Sequence, residues 1–194
     1  TSDWMELERQ RGISITSTVL QFEYRGNVFN LLDTPGHRDF SEDTYRVLSA
    51  VDAAVIVLDA AKGIEPQTLK LFEVARSRGI PLLTFVNKVD RPSLSGLELM
   101  DDIETQLGLV PTPVTWPVGS GNDFQGVVDR REGKVWRYVR STHGAKQAEE
   151  EARADLSADI FGPVAESVKG ELELLDAVGA DHDQKRFLAG ETTP

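Results

Sequence analysis

The sequence predicts an α/β fold in which a mainly parallel sheet carries helices on both faces. Three apolar runs, at residues 28–32, 53–58 and 82–86, have the length of strands, and helical patterns fall between them. The second and third runs are apolar without alternation, which is typical of parallel strands covered on both faces. This order of elements favours strands joined by right-handed crossovers.

Composition and charge narrow the class of protein. The 194 residues suffice for one domain with a real core, and the 40% apolar content is typical of a globular chain. The absence of cysteine excludes disulfides and thiolate metal sites. The formal net charge is -11, and residues 141–194 hold 5 basic and 12 acidic side chains. Because such a surface repels a phosphate backbone, we expect no direct sequence-specific binding of nucleic acid.

The sequence shows no sign of a membrane partner. No apolar stretch approaches the ~20 residues needed to cross a bilayer. The N-terminus, from Thr1 to Trp4, has neither a basic region nor a long apolar region, so it is not a signal peptide. We therefore expect a cytoplasmic protein.

Two strand pairs are predicted to be hairpins. Residues 19–24 and 28–32 flank the turn signal Arg25-Gly26-Asn27, and residues 126–131 and 134–140 flank Glu132-Gly133. Between these hairpins, residues 114–118 are predicted to be a fourth parallel strand. The acidic run at residues 149–151 is most simply interpreted as the solvated start of a helix.

Helices are predicted where apolar residues recur at helical spacing. A short one is expected over residues 40–50. Of three longer ones, the first begins near Pro66 and ends at Gly79, the second ends at Gly108, and the third lies between Pro163 and Gly179. Their apolar positions are Leu69, Phe72 and Ala75; Leu99, Ile103 and Leu107; and Val164, Val168, Leu172 and Leu175.

The segment Asp33-Thr34-Pro35-Gly36 follows the first apolar run, where ligands of open α/β sheets bind. A carboxylate at this position can hold Mg²⁺, mainly through water. Gly36 has no side chain, so its N–H can approach a γ-phosphate closely and sense whether that phosphate is present. The alternative is that the four residues are only a turn.

His37 follows directly and is a candidate catalytic residue. An imidazole here can orient an attacking water, the role that a glutamine has in other nucleotide hydrolases. The alternative for an isolated histidine is a solvated loop side chain. Its position beside Asp33 and Gly36 favours the catalytic interpretation.

Asn87-Lys88-Val89-Asp90 follows another apolar run and predicts a guanine site. Guanine presents two adjacent donors, N1–H and the 2-amino group, and the carboxylate of Asp90 can accept both. Asn87 would tether neighbouring loops, and the aliphatic stem of Lys88 could lie over the purine. The alternative is an ordinary polar loop after a strand.

Three further positions give weaker signals. Ser14 and Thr16 lie in the first loop, where a hydroxyl can coordinate Mg²⁺ beside a γ-phosphate, although such hydroxyls are usually solvated. Asp59, at the end of the second apolar run, is more typical of a helix cap or a turn than of a ligand.

Three segments together resemble consecutive motifs of the translational GTPases: residues 11–16, 33–37 and 87–90. Within that family, residues 2–6, 39–46 and 115–119 resemble the branch that acts in translation termination, and elongation factor G is the nearest alternative. The resemblance implies binding of GTP and GDP with Mg²⁺, and GTP hydrolysis stimulated by the ribosome. It also implies that the protein promotes departure of the class I release factors.

The resemblance assigns the site residues by motif. Ser14 and Asp33 would lie at the metal, and Gly36 would sense the phosphate, with Thr34 and Pro35 in the same segment. His37 would orient the water, and Asn87, Lys88 and Asp90 would bind the base. Ser14 stands where relatives often carry threonine.

The resemblance also predicts how the chain is divided. Residues 1–118 would form part of a GTP-binding domain, 119–180 an inserted subdomain, and 181–194 a return to the first domain. Family members have a central strand and a phosphate-binding loop before this segment, and neither is found in the sequence. We therefore expect the 194 residues to be an inactive piece of a longer GTPase. The alternative is an interaction module without hydrolysis.

Overall fold

The computed structural model describes residues 18–34, 47–139, 149–153, 155–178 and 186. The helix predicted over residues 40–50 lies mostly outside these ranges. No helix within them is long and apolar enough to cross a membrane. The chain divides into two compact units, residues 1–56 with 66–83 and residues 57–65 with 84–194.

The predicted first hairpin is confirmed. Strands β1 (Thr18–Tyr24) and β2 (Asn27–Asp33) pair antiparallel, with Tyr24 opposite Asn27. The turn contains two residues, Arg25 and Gly26, whose φ angles of 50° and 77° are both left-handed. Two such residues match the right-handed twist of the flanking strands, which explains why Asn27 belongs to β2 rather than to the turn.

Strands β3 (Ala54–Asp59) and β4 (Leu82–Asn87) form a second sheet. The N–H of Ala54 donates to Pro81 O, and that of Ala60 donates to Asn87 O, both at 2.9 Å. The strands therefore start and end together, so the pair is parallel, as predicted. At alternate positions the side chains are more than half exposed to solvent: Val55, Val57, Leu83 and Phe85.

Helix α1 (Pro66–Ser77) joins these two strands, and Phe72 and Ala75 are buried as its periodicity predicted. Helix α2 (Gly96–Leu107) follows β4. It buries Leu99, Ile103 and Leu107, and its C-terminus is capped by Gly108 at φ 64°. At the other end, Ser95 and Glu98 form a capping box, which satisfies two backbone N–H groups.

The fourth sheet strand departs from the prediction. Strand β5 (Thr115–Val118) does not extend a parallel sheet; it pairs antiparallel with β6 (Gly126–Asp129). The prediction of a parallel strand is wrong: among the described strands β5 pairs only with β6, and the short connection from Val118 to Gly126 allows this pair to be only antiparallel. A parallel crossover needs a dozen or more residues.

Strand β7 (Lys134–Val139) pairs antiparallel with β6, which confirms the second hairpin. Strand β8 (Glu149–Arg153) then pairs antiparallel with β7, so the four-stranded order is β5-β6-β7-β8. The interpretation of residues 149–151 as a helix start is wrong. The backbone ladder offered by β7 outweighs the helical preference of three glutamates. The predicted boundary between residues 118 and 119 remains a prediction, although this sheet begins at Thr115.

Helices α3 (Ala158–Phe161) and α4 (Val164–Val178) close one face of the four-stranded sheet. The indole N–H of Trp116, which is 2% exposed, donates to Glu171 Oε2 at 2.7 Å and so joins β5 to α4. The core between them consists of Trp116, Val118, Val128, Val135, Phe161, Ala165, Val168 and Leu175.

A buried carboxylate organises the turn between β6 and β7. Asp129 is 7% exposed and accepts hydrogen bonds from the Arg131 guanidinium at 3.0 Å and the Arg131 backbone N–H at 2.9 Å. Chiefly through the Arg131 side chain, these contacts hold the pKa of Asp129 below its usual value. The neighbouring Arg130 donates to Pro113 O and to Asp176 Oδ1, which ties the turn to α4.

Candidate functional site

The predicted site residues follow the ends of two strands. Asp33 is the last residue of β2, and Asp33 and Thr34 are half-buried in the first unit. Asn87 is the last residue of β4, and the segment from Asn87 to Asp90 belongs to the second unit. Ser14, Pro35, Gly36 and His37 lie outside the described residues, so their roles remain predictions.

The metal site also remains a prediction. Among the residues that the structure describes, no three of histidine, aspartate or glutamate come together as a metal-binding group. Asp33 by itself fits an Mg²⁺ ion that takes most of its ligands from water and phosphate oxygens, as this ion prefers.

The loop after β4 is shaped by its own backbone. Lys88 has a left-handed φ of 66°, which is uncommon for a residue with a side chain. The Asn87 Oδ1 accepts the Lys88 N–H at 2.9 Å, and the Lys88 O accepts the Arg91 N–H at 3.1 Å. These bonds turn the chain sharply at the strand end, directly before Asp90.

Asp90 is exposed, and no described side chain pairs with its carboxylate. Within the part of the chain that the structure describes, both carboxylate oxygens are thus left to accept two adjacent donors from a ligand. That arrangement is what the edge of a guanine ring requires.

The loop that follows β3 packs beside the β4 loop. The Ala60 N–H donates to Asn87 O at 2.9 Å, and the Leu94 N–H donates to Ala60 O at 3.1 Å. Ala60 is fully buried between these contacts. Asn87 therefore connects two loops through its backbone carbonyl, as well as bonding Lys88 through its side chain.

Asp59 makes two contacts of different kinds. Its Oδ1 accepts the Ala61 N–H at 3.0 Å, which confirms the turn interpretation. Its Oδ2 lies 2.6 Å from the Lys88 Nζ. The Lys88 hydrogen bond, followed by the Ala61 N–H, holds the pKa of Asp59 below its usual value, so the carboxylate stays ionised beside the ammonium.

A third loop reaches the same segment from β5. The Gly121 N–H donates to Val89 O at 2.7 Å. Two residues earlier, Gly119 has a left-handed φ of 79°, and a Cβ there would overlap Asp123 O. Only glycine fits at residue 119. Because it has no side chain, the chain can turn tightly there and bring Gly121 to Val89.

Sequence reasoning did not predict the pairing of Asp59 with Lys88 or the contact of Gly121 with Val89. The sequence does contain a signal for the pairing of Asp59 with Lys88. Asp59 and Asn87 end two neighbouring apolar runs, and parallel strands bring such ends together. The contact of Gly121 with Val89 depends on the turn after β5 and has no comparable local signal.

Comparison with known proteins places this chain among nucleotide-binding domains. The family profile described as the elongation factor Tu GTP binding domain matches residues 1–184. A protein of Rippkaea orientalis named peptide chain release factor 3 is 55% identical over 198 residues. The protein of the same name from Synechococcus elongatus is 57% identical over 198 residues.

These alignments cover 100% of this chain but 37% and 36% of the two relatives. The chain thus spans little more than a third of the length of the curated relatives. A crystal structure of a Thermus thermophilus protein has a TM-score of 0.66 at 24% identity, and the match covers 100% of this chain and 28% of that one. This likeness supports the fold.

Proposed function

The chain belongs to the family of elongation factor Tu GTP binding domains, and from that premise we propose that it is the nucleotide-binding part of a translational GTPase. The substrate would be GTP, hydrolysed to GDP and phosphate with Mg²⁺ bound. The finer assignment, to a factor of translation termination, is supported by the relatives named peptide chain release factor 3.

One observation carries the proposal: after a strand of the parallel pair, the loop from Asn87 to Asp90 exposes a carboxylate that no side chain within the described ranges pairs with. Backbone contacts from Ala60 and Gly121 hold this loop. A base that cannot donate two hydrogen bonds to Asp90 would leave the carboxylate desolvated and unpaired, which is strongly unfavourable. Adenine lacks these donors, so the loop would select guanine.

The remaining chemistry is assigned to the segment after β2. Asp33 would bind Mg²⁺ through water, with Ser14 as a second metal-proximal oxygen. The N–H of Gly36, flanked by Thr34 and Pro35, would bond the γ-phosphate. His37 would orient the attacking water and stabilise developing charge by its placement.

We further propose that the whole protein works on the ribosome. There it would promote departure of class I release factors after the peptide has been freed, and the ribosome would stimulate hydrolysis. The names of the curated relatives favour this role over that of elongation factor G.

The test is nucleotide binding by the full-length protein. A fluorescent GDP analogue is bound first, and GTP, GDP and ATP are then titrated as competitors. We expect GTP and GDP to displace the analogue, with ATP at least about 100-fold weaker, because discrimination rests on the unpaired Asp90 carboxylate. Equal competition by ATP would refute the base-reading role.

A further inference from the structure

We propose that Asp59 is a positioning residue for the purine site: its carboxylate holds the Lys88 ammonium and thereby fixes the Lys88 stem as a platform for guanine. The inference rests on the proposed function and deepens it. Asp59 itself would not touch the nucleotide.

The contact joins two strand ends that are far apart in sequence. Asp59 ends β3 and Lys88 follows β4, and their charged atoms lie 2.6 Å apart. The Asp59 side chain is 18% exposed and that of Lys88 is 43% exposed. This pair is therefore less solvated at its acidic end than the pair of Lys62 with Glu65 nearby, whose side chains are 60% and 51% exposed.

Asp59 is suited to positioning because several hydrogen bonds hold it in place. Its Oδ1 accepts the Ala61 N–H, and its backbone O accepts the N–H groups of Lys62 and Gly63, both at 3.0 Å. The Ala60 N–H then bonds Asn87 O. The carboxylate is thus held against the loop that contains Lys88 by contacts that do not involve Lys88 itself.

Lysine needs such a restraint if it is to serve as a platform. Its four-carbon stem has several rotatable bonds, and a solvated ammonium would leave the stem in many conformations. A charge-assisted hydrogen bond at the tip removes part of that freedom before the nucleotide binds. From the ordering of one rotamer-rich side chain, we expect the restraint to improve nucleotide affinity by about 2- to 10-fold.

The first variant is Asp59→Asn in the full-length protein. The amide keeps an oxygen for the Ala61 N–H but loses the charge that holds Lys88. The matched control is Glu65→Gln, which removes an exposed carboxylate in the same loop region that pairs with Lys62. We expect Asp59→Asn to raise the Kd for GDP by about 2- to 10-fold, with kcat at saturating GTP unchanged, and the control to leave both unchanged.

The second measurement places Asp59→Asn in a Lys88→Met background. Methionine keeps an aliphatic stem and has no ammonium, so Asp59 has nothing to hold. If Asp59 acts through Lys88, the Asp59→Asn change should then alter the Kd by less than about 2-fold, whatever Lys88→Met does alone.

The outcomes separate this inference from the proposed function. Failure of the unmodified protein to bind GDP overturns the proposed function, and this inference with it. Normal binding with no effect of Asp59→Asn overturns this inference alone. So does an equal penalty in the two backgrounds, since the turn at Ala61 would then account for it.

Discussion

Replacement by alanine is expected to have opposite effects on helix stability at two helical glycines. Gly96 is the first residue of α2 and Gly170 lies within α4. A Cβ added at Gly96 would lie 2.7 Å and 2.8 Å from two ring carbons of Trp116. A Cβ at Gly170 would have nothing within 4 Å. Alanine is the better helix former at both positions, so the tertiary surroundings decide whether the substitution raises or lowers the free energy of unfolding.

The magnitude follows from how far Trp116 can move. The ring would have to retreat by roughly 0.7 Å to reach an ordinary contact distance. It is 2% exposed and its N–H is bonded to Glu171, so retreat disturbs the core. Overpacking of this kind costs about 1–3 kcal/mol, against a gain of at most about 1 kcal/mol in helix propensity. We expect Gly96→Ala to destabilise α2 by about 1–2 kcal/mol.

The assay is native-state hydrogen–deuterium exchange in the full-length protein, read on peptides of α2 and α4. Gly96→Ala should speed exchange in α2 by about 5- to 30-fold. Gly170→Ala should slow exchange in α4 by about 2- to 5-fold, because an exposed helix interior gains about 0.5–1 kcal/mol. Slower or unchanged exchange in α2 of Gly96→Ala would refute the packing argument.

Three further outcomes are expected. Asp90→Asn should weaken GDP binding by about 100-fold and favour xanthosine diphosphate, whose base offers an acceptor to the new amide; Asp101→Asn, an exposed carboxylate on α2, should change neither affinity. His37→Ala should bind GTP normally but lose ribosome-stimulated hydrolysis in a single-turnover assay, and unchanged turnover would remove its role. The pKa of Asp129 in the folded protein is lower than its value of about 3.9 in the unfolded chain, so the ionised carboxylate stabilises the fold above that pH. This stabilisation is lost as the pH falls through the pKa of the folded protein. Protection of the β6 and β7 amides, measured relative to intrinsic exchange at each pH, should therefore fall below about pH 4, and the fall should be smaller in Asp129→Asn.

Sequence patterns correctly predicted the elements that depend on interactions between residues close in sequence. The buried face of α2 and its end at Gly108 follow from residues within a few turns of one another. The hairpin of β1 and β2 follows from a turn whose two residues accept left-handed backbone. In both cases the decisive interactions join residues close in sequence, so their spacing is sufficient.

Partners of strands were predicted less well. Residues 114–118 were expected in a parallel sheet and residues 149–151 at the start of a helix, yet residues 115–118 and 149–151 belong to strands of one antiparallel sheet. Whether these segments form strands depends on the backbone hydrogen-bonding groups at the edges of β6 and β7. A short stretch of sequence does not show which strand edges are open for pairing. Competition for backbone hydrogen bonds settled both assignments.

The same distinction between local and long-range interactions applies to the candidate site. The residue types and spacing of residues 87–90 predict a purine-binding loop, and the structure confirms that this segment begins where a strand ends, while its role in binding stays a prediction. The ion pair of Asp59 with Lys88 and the bond from Gly121 to Val89 were settled only when three strand ends were folded side by side. Such contacts join residues about thirty positions apart. They depend on strand register and turn geometry, which arise from the packing of the whole chain rather than from any one segment.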